Sequence, residues 1–263
     1  MFKHFKIIGW FIKQSFMETL EYRTDFVVRT VVSNAWLVLD IIFLSALISN
    51  ISTIGTWNLT QATIALGVYR MLAFFIWSWM LYSFALIPKI VNNGHLDLLL
   101  TKPVDSQVIV SFRKFIFIHV SSLIVGIVLV LRGVGQLNYI IPPERWLLFL
   151  WMFIVAIALI YGFYFLTISA CLFTDRLENI YQLFTEAFYT ASRYPKEIYI
   201  GFFRVMLTSV VPIALMVSVP AEAIFTDLSW QTIIWFHFLA IFFMISSRML
   251  WQFGLKRYSS ASS

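Results

Sequence analysis

The sequence predicts an all-α protein that crosses a membrane repeatedly, and three observations predict it. Hydrophobic residues make up 60% of the chain and charged ones 12%, against roughly 25% charged in a soluble domain. The apolar residues gather into six segments, each long enough to cross about 30 Å of hydrocarbon as a helix, which takes about 20 residues. The connections between them are too short for a separate folded domain. Residues 1–263 therefore read as one transmembrane unit.

In chain order, the first element, residues 2–21, does not read as a span. Phe5, Ile8, Phe11, Ile12, Phe16 and Leu20 recur at helical spacing, while Lys3, Lys6, Lys13 and Gln14 fall largely elsewhere. That pattern predicts an amphipathic helix lying in the interface plane, its lysines turned to anionic lipid. No cleavable signal is expected, because Lys13 interrupts the apolar run and no small-residue site comes after it. Spans are predicted at 25–48, 62–87, 108–131, 146–173, 198–218 and 232–252.

Between the second and third spans lies a polar connection, 88–106, holding Gly94-His95-Leu96-Asp97-Leu98-Leu99-Leu100-Thr101-Lys102-Pro103. A second amphipathic stretch runs through Ile180, Leu183, Phe184, Ala187, Phe188 and Ala191 until Tyr194-Pro195 stops it. It is expected along the cytoplasmic face or as an extension of the fourth span. Pro212 and Pro220 bracket Ile213–Val219, so the fifth span should kink or break near the outer surface. Ala221–Phe225 is then a short re-entrant piece before the last span, and 253–263 is a tail. A broken helix at membrane depth needs protein or a water-filled cavity around its freed backbone groups.

The charges set the expected orientation. Lys3, Lys6, Lys13, Arg23, Lys89, Lys102, Arg176, Arg193, Lys196, Arg248, Lys256 and Arg257 collect on one side of the predicted spans. The other side holds only Arg132 and Arg145. The positive-inside rule places both termini and the 88–106 loop in the cytoplasm. The net charge of +6 is dispersed over span ends, so no nucleic-acid partner is expected. Arg113, Lys114, Arg204 and Arg248 are expected to snorkel to the headgroups.

Charges inside the spans need reasons, since each costs about 2.5–3.5 kcal/mol at mid-depth on insertion scales. Arg29 and Asp40 return to nearly the same helix face but lie about 16 Å apart along the axis at 1.5 Å per residue. Arg70 in the second span is the better partner for Asp40, and an Asp40–Arg70 pair is expected. It either fixes helix register or lines a substrate path. Glu222 beside Pro220 is expected to cap the re-entrant helix, or to meet a cationic substrate.

Chemistry-bearing motifs are missing. One cysteine, Cys171, excludes an intrachain disulfide and a cysteine metal framework. The four histidines show no His-x-x-x-His pairing, and no Gly-x-x-x-x-Gly-Lys-[Ser/Thr] phosphate loop exists. A catalytic role and a metal site are therefore not expected, and any ATP-driven work needs another chain.

The loop motif Gly-x-Leu-Asp-x-Leu-Leu-x-Lys-Pro, the Arg193–Tyr199 segment, the proline-broken Val211–Ala223 segment and the order of elements resemble the bacterial ABC type-2 export permeases. The resemblance implies a six-span subunit that dimerises with an identical or related permease in the bacterial cytoplasmic membrane. It implies that a separate ATPase subunit binds ATP and Mg, with no cofactor on this chain. It also makes 2–21 the elbow helix and Gly94, Leu96, Asp97, Leu99, Leu100, Lys102 and Pro103 the coupling site. There the leucines would form an apolar knob and Asp97 and Lys102 polar contacts.

The expected activity is export of a hydrophobic or amphiphilic substrate, with membrane lipids as surroundings. A cationic substrate would suit a path lined by Phe, Trp and Tyr. The competing reading is an ion-coupled secondary transporter with Asp40 and Arg70 in the pathway. It would need coupling carboxylates or internal repeats.

Overall fold

The computed structural model describes residues 2–50, 57–137, 139–173, 178–192 and 196–258; for some residues of its helices, Asp40 among them, only the backbone is described. The described residues form helices and the turns that join them, with no strand. Helix α1 (Phe2–Glu21) is followed after Tyr22 by α2 (Arg23–Asn50). A capping box of Asn58 and Gln61 starts α3 (Leu59–Phe75), which runs through a π-helical turn, Ile76–Met80, into α4 (Leu81–Asn92). Two short helices, α5 (His95–Leu100) and α6 (Ser106–Ser111), precede α7 (Val120–Gly135) and α8 (Pro143–Ser169). Then come α9 (Glu178–Ala191), α10 (Gly201–Val205), α11 (Ile213–Phe225) and α12 (Trp230–Arg257).

Among the described residues, four helices are long and apolar enough to cross a membrane: Leu59–Asn92, Phe117–Gly135, Pro143–Leu172 and Trp230–Arg257. Gly201–Val210 and Ile213–Phe225, bent by 77° at their junction, would together make a fifth.

Small residues let the long helices touch. A Cβ on Gly67 or Gly126 would lie 2.7 Å from the other's carbonyl oxygen, so the α3 and α7 backbones are in contact there. Gly162 does the same for α8 against α12, where a Cβ would meet the Met244 nitrogen at 2.8 Å. Helix α11 is apolar on every side, as a helix surrounded by others must be. All thirteen of its residues are buried, chiefly against α8 and α3.

The bundle has two ends. Val91, α5, α6 and the C-terminal part of α12 mark one, where Tyr258 donates to the Val91 carbonyl at 3.4 Å. Trp57, Tyr139, Arg145, Phe225 and Asp227 mark the other. Tyr139 donates to the Phe225 carbonyl at 3.2 Å, Arg145 pairs with Asp227, and Trp57 meets Phe225 edge-on.

Several sequence expectations change here. The predicted span 108–131 starts instead at Phe117, because the chain breaks after α6. Distant side chains satisfy that break: Trp79 Nε1 donates to Ser111 O at 2.6 Å, the Lys114 amide to Ser83 Oγ at 3.0 Å and the Phe115 amide to Ser15 Oγ at 3.1 Å. The Ile116 amide reaches Ser78 O at 2.7 Å. Arg113 and Lys114 therefore sit in a built turn outside the span.

The proline expectation is half corrected. The break falls at Val211-Pro212, but Pro220 lies inside α11, and Ala221–Phe225 continues that helix. The amphipathic stretch ending at Ala191 forms α9, packed against α3. Phe188 of α9 is buried and stacks on Tyr69 of α3 at 5.9 Å.

Candidate functional site

The connection 93–105 is a structured element. Gly94 takes the left-handed conformation, φ +71°, and serves as the N-cap of α5, a backbone state that favours glycine. One turn of helix divides the leucines by face. Leu96 and Leu99 are buried in the core, whereas Leu98 and Leu100 are 65% and 41% exposed. Of the expected knob, Leu96 and Leu99 therefore anchor α5 to the bundle, and Leu98 with Leu100 forms its outer apolar face. Asp97 is half-buried, while Lys102 and Pro103 are exposed beside that face.

The exit of α5 is tied to the last long helix. Asp105 caps α6, accepting from the Gln107 and Val108 amides at 3.0 and 3.3 Å. Its two carboxylate oxygens also receive a two-pronged contact from Arg248 of α12, with Nη1 donating at 2.8 Å. Arg248 Nη1 also donates to Gln107 Oε1 at 3.1 Å, and Gln107 Nε2 donates to Tyr161 OH of α8 at 3.1 Å. Ser111 Oγ lies 2.8 Å from the same hydroxyl, and Trp251 Nε1 donates to Ser106 Oγ at 3.1 Å. Burial pushes the Asp105 carboxyl up, but the Arg248 hydrogen bond and charge and the two amides outweigh it and hold it below the ordinary value.

Arg248 is held by a carboxylate 143 positions away in sequence. The sequence carries one local sign of this arrangement. Asp105 immediately before Ser-Gln-Val-Ile is a good helix-capping residue.

The other expected polar residues separate. Arg29 pairs with Asp25 one turn back on α2, Nε to Oδ1 at 2.8 Å. Arg70 is buried in α3. The Asp40 side chain, and so the Asp40–Arg70 pair, lies outside the described residues, as does Arg193-Tyr194-Pro195. Glu222 is buried near the C-terminal end of α11 and pairs with Lys196, so it does not act as a helix cap. Because Glu222 is one turn from Phe225, Lys196 belongs at the Tyr139 end. The charge pattern had grouped Lys196 with Arg248, Lys256 and Arg257 at the opposite one.

A cavity of about 520 Å³ opens between α2, α3, α7 and α9. Trp36, Tyr69, Trp77, Tyr82 and Tyr189 give it aromatic walls, and Arg29, Arg70, His119 and Glu186 give it charge and polarity. His119 leans on Trp77 with ring centres 6.1 Å apart, and Ser122 Oγ donates to the Arg70 carbonyl at 3.2 Å. Among the described residues no group of three His, Cys, Asp or Glu could hold a metal.

A long-helix bundle with a short capped helix between Leu59–Asn92 and Phe117–Gly135 can be compared with known families. The family model described as "ABC-2 family transporter protein" matches residues 35–262. The chain belongs to the ABC-2 transporter family. It is thus a multi-pass membrane protein and the membrane subunit of an ABC transporter, a family that works with ATPase partner subunits. That membership favours the ABC reading over ion-coupled secondary transport. Comparisons with curated proteins and with solved structures gave no match.

Proposed function

We propose that this ABC-2 subunit exports a hydrophobic or amphiphilic substrate, with α5 as the surface that receives work from the ATPase. The observation that carries this is the two-faced α5. Leu96 and Leu99 fix it to the bundle, Leu98 and Leu100 face outward, and Asp105–Arg248 joins its exit to α12. A push on the outer leucines is then delivered to a long helix as well as to the loop. ATP and Mg sit on the partner ATPase, and α5 lies in the cytoplasm with both chain termini.

On this reading the chain makes six crossings of a bacterial cytoplasmic membrane. Helix α2, 28 residues long, is the first. Helix α9, packed on Tyr69 in the middle of a long span, forms the core of the fifth. Gly201–Val210 and α11 then enter and leave as a re-entrant pair at the Tyr139 end. The Lys196–Glu222 pair supports that arrangement, because it joins the exit of α9 to α11. Helix α1 is the interfacial elbow. Val27, Val28, Val31, Trp36 and Leu39 of α2 are more than half exposed, which supports a lipid-facing or subunit-facing surface in a permease dimer.

The test is co-purification of the full chain with the ATPase encoded beside it. Leu98→Asp should abolish recovery of the ATPase while leaving the helical content and thermal melt of the chain unchanged. Recovery of the ATPase with Leu98→Asp and with a Leu98→Asp/Leu100→Asp double variant would overturn the docking assignment.

A further inference from the structure

The long helix Leu59–Asn92 changes its winding at the place where it is gripped from outside. At Ile76–Met80 it widens to a π-helical turn, closed by the Leu81 amide donating to the Ile76 carbonyl five residues back. Such single widened turns are rare and are frequent at functional sites when they occur. This one carries Trp77 and Trp79, which are two residues apart and so lie on nearly opposite sides of the helix. Trp77 joins the lining of the cavity between α2, α3, α7 and α9, where it meets His119. Trp79 faces the other way. Its ring stacks on Phe112 at 4.4 Å and on Tyr161 at 5.9 Å, and its Nε1 donates to the Ser111 carbonyl at 2.6 Å.

The two grips on this turn come from different bodies. Ser111 ends α6, whose start is capped by Asp105 at the exit of α5. Gln107 and Ser111 of the same short helix both reach the Tyr161 hydroxyl, at 3.1 and 2.8 Å, so the Trp79 ring is seated where α6 meets α8. On the other side, the Ser78 carbonyl accepts from the Ile116 amide at 2.7 Å, and Ile116 leads into Phe117–Gly135. That helix is fixed to α3 where Gly126 meets Gly67. A displacement of α6 is therefore applied across the π-turn, with Trp79 on the side that moves and Ser78 on the side that is anchored. The turn also has a reason to adopt a second arrangement. Ser78 Oγ is fully buried and has no hydrogen-bond partner among the described residues, a cost that the present winding leaves standing. In an α-helical turn a serine hydroxyl can donate to the carbonyl four residues back, here that of Phe74. A widened turn can pass along a helix while both helix ends stay in place, and it rotates the side chains that it passes.

We propose that the π-turn Ile76–Met80 is the joint through which movement of α5 reaches the cavity, with Trp79 the positioning residue and Trp77 the side chain that it turns. The joint rests on the reading of α5 as the surface that receives work from the ATPase. It leaves the frame of α3 and α7 as it is and changes how the Trp77 ring is presented to the cavity. Two orientations of that ring offer a ligand different contacts, and such a difference is what allows the state of the ATPase to bias affinity.

The experiment uses the full chain purified with its ATPase in dodecyl maltoside micelles. In a Cys171→Ala background, Trp77→Cys supplies the only thiol of this chain. Its rate of modification by a water-soluble maleimide, scored on this chain, is compared without nucleotide and after trapping with ATP and vanadate. The two rates should differ by about fivefold or more, the low end of coupling between distant sites. Trp79→Leu removes the ring contacts and the bond to Ser111, and it should erase the difference while the ATPase is still recovered. Ile118→Cys, half-buried on the anchored wall of the same cavity, should change much less than Trp77→Cys.

Equal rates at position 77 in the two states, a difference that persists in Trp79→Leu, or an equal response at Ile118→Cys would overturn the proposal. If Trp79→Leu does not fold, Trp79→Phe keeps a ring between Phe112 and Tyr161 and loses only the donor to Ser111. It should then shrink the difference, and an undiminished difference there would overturn the proposal as well. Failure of the chain to recover the ATPase would remove the reading of α5 and the joint with it. Recovery of the ATPase with equal rates at position 77 would remove the joint alone.

Discussion

Two ion pairs hold opposite ends of the helix bundle, and they are built on different principles. Lys196–Glu222 at the Tyr139 end has side chains 18% and 11% exposed and joins the residues after α9 to α11. Arg248–Asp105 at the α5 end has side chains 40% and 30% exposed, yet it is embedded in hydrogen bonds through Gln107 to Tyr161. The first joins two largely buried side chains. The second distributes its electrostatics over a carboxylate, an amide, a hydroxyl and a helix N-terminus, where water also reaches. A buried pair fails abruptly when one partner is lost; a distributed one loosens. The α11 end of the bundle is therefore held in one position, while the α5 end is held in a way that tolerates movement.

The largest expected effect breaks the buried pair. Glu222→Ala removes the carboxylate that pairs with the largely buried Lys196 ammonium, and breaking a buried pair costs about 3–5 kcal/mol. Unfolding by SDS titration in mixed micelles should show it. A Lys196→Met/Glu222→Leu double variant should recover most of the loss; if it is no better than Glu222→Ala alone, the pair is not what holds this region.

The distributed pair should respond less. Arg248→Met removes charge-assisted bonds to Asp105, each worth about 1.5–3 kcal/mol when well shielded, and partial exposure discounts that figure. Arg248→Lys keeps the charge but loses the two-pronged geometry, so it should restore less than half of the loss. The same titration has a pH signature. The folded-state value of Asp105 lies below its ordinary 3.8, so its contribution is complete above that pH and is lost as the pH falls through the lowered value. In Arg248→Met that acid dependence should flatten.

The smallest effect sharpens the comparison. Arg145 pairs with Asp227, but Asp227 is 96% exposed, and the pair lies at the same end as the buried one. Asp227→Asn should cost less than about 1 kcal/mol. A larger loss there would mean that position along the bundle, and not burial, sets the strength of these contacts.

The sequence is most readable where one helix crosses without interruption. The predicted 146–173 and 232–252 correspond to Pro143–Leu172 and Trp230–Arg257, because a continuous apolar run has few alternatives. It is least readable where local apolarity and distant hydrogen bonds compete. Phe115–Ile118 is as apolar as any span interior, yet Ser15, Trp79 and Ser83 capture the backbone of 111–115 and break the helix. The amphipathic period of α9 is visible, but nothing local shows that its buried side meets Tyr69.

The Gly94 loop is recognisable as an element, whereas its inner and outer leucines need one further step. Leu96 and Leu99 are three apart and share a face. The pairing of Asp105 with Arg248 escapes sequence reading because a long-range contact leaves no local pattern.

The contact of Gly67 with Gly126 has a mechanical consequence. Where two backbones meet without intervening side chains, neither helix can slide by a fraction of a turn without driving carbonyl into carbonyl. Helices α3 and α7 therefore behave as one beam, and the cavity has two walls of fixed spacing. Its other two walls, α2 and α9, carry no such weld. Any change in the volume offered to a ligand is made by panels that move against a rigid frame.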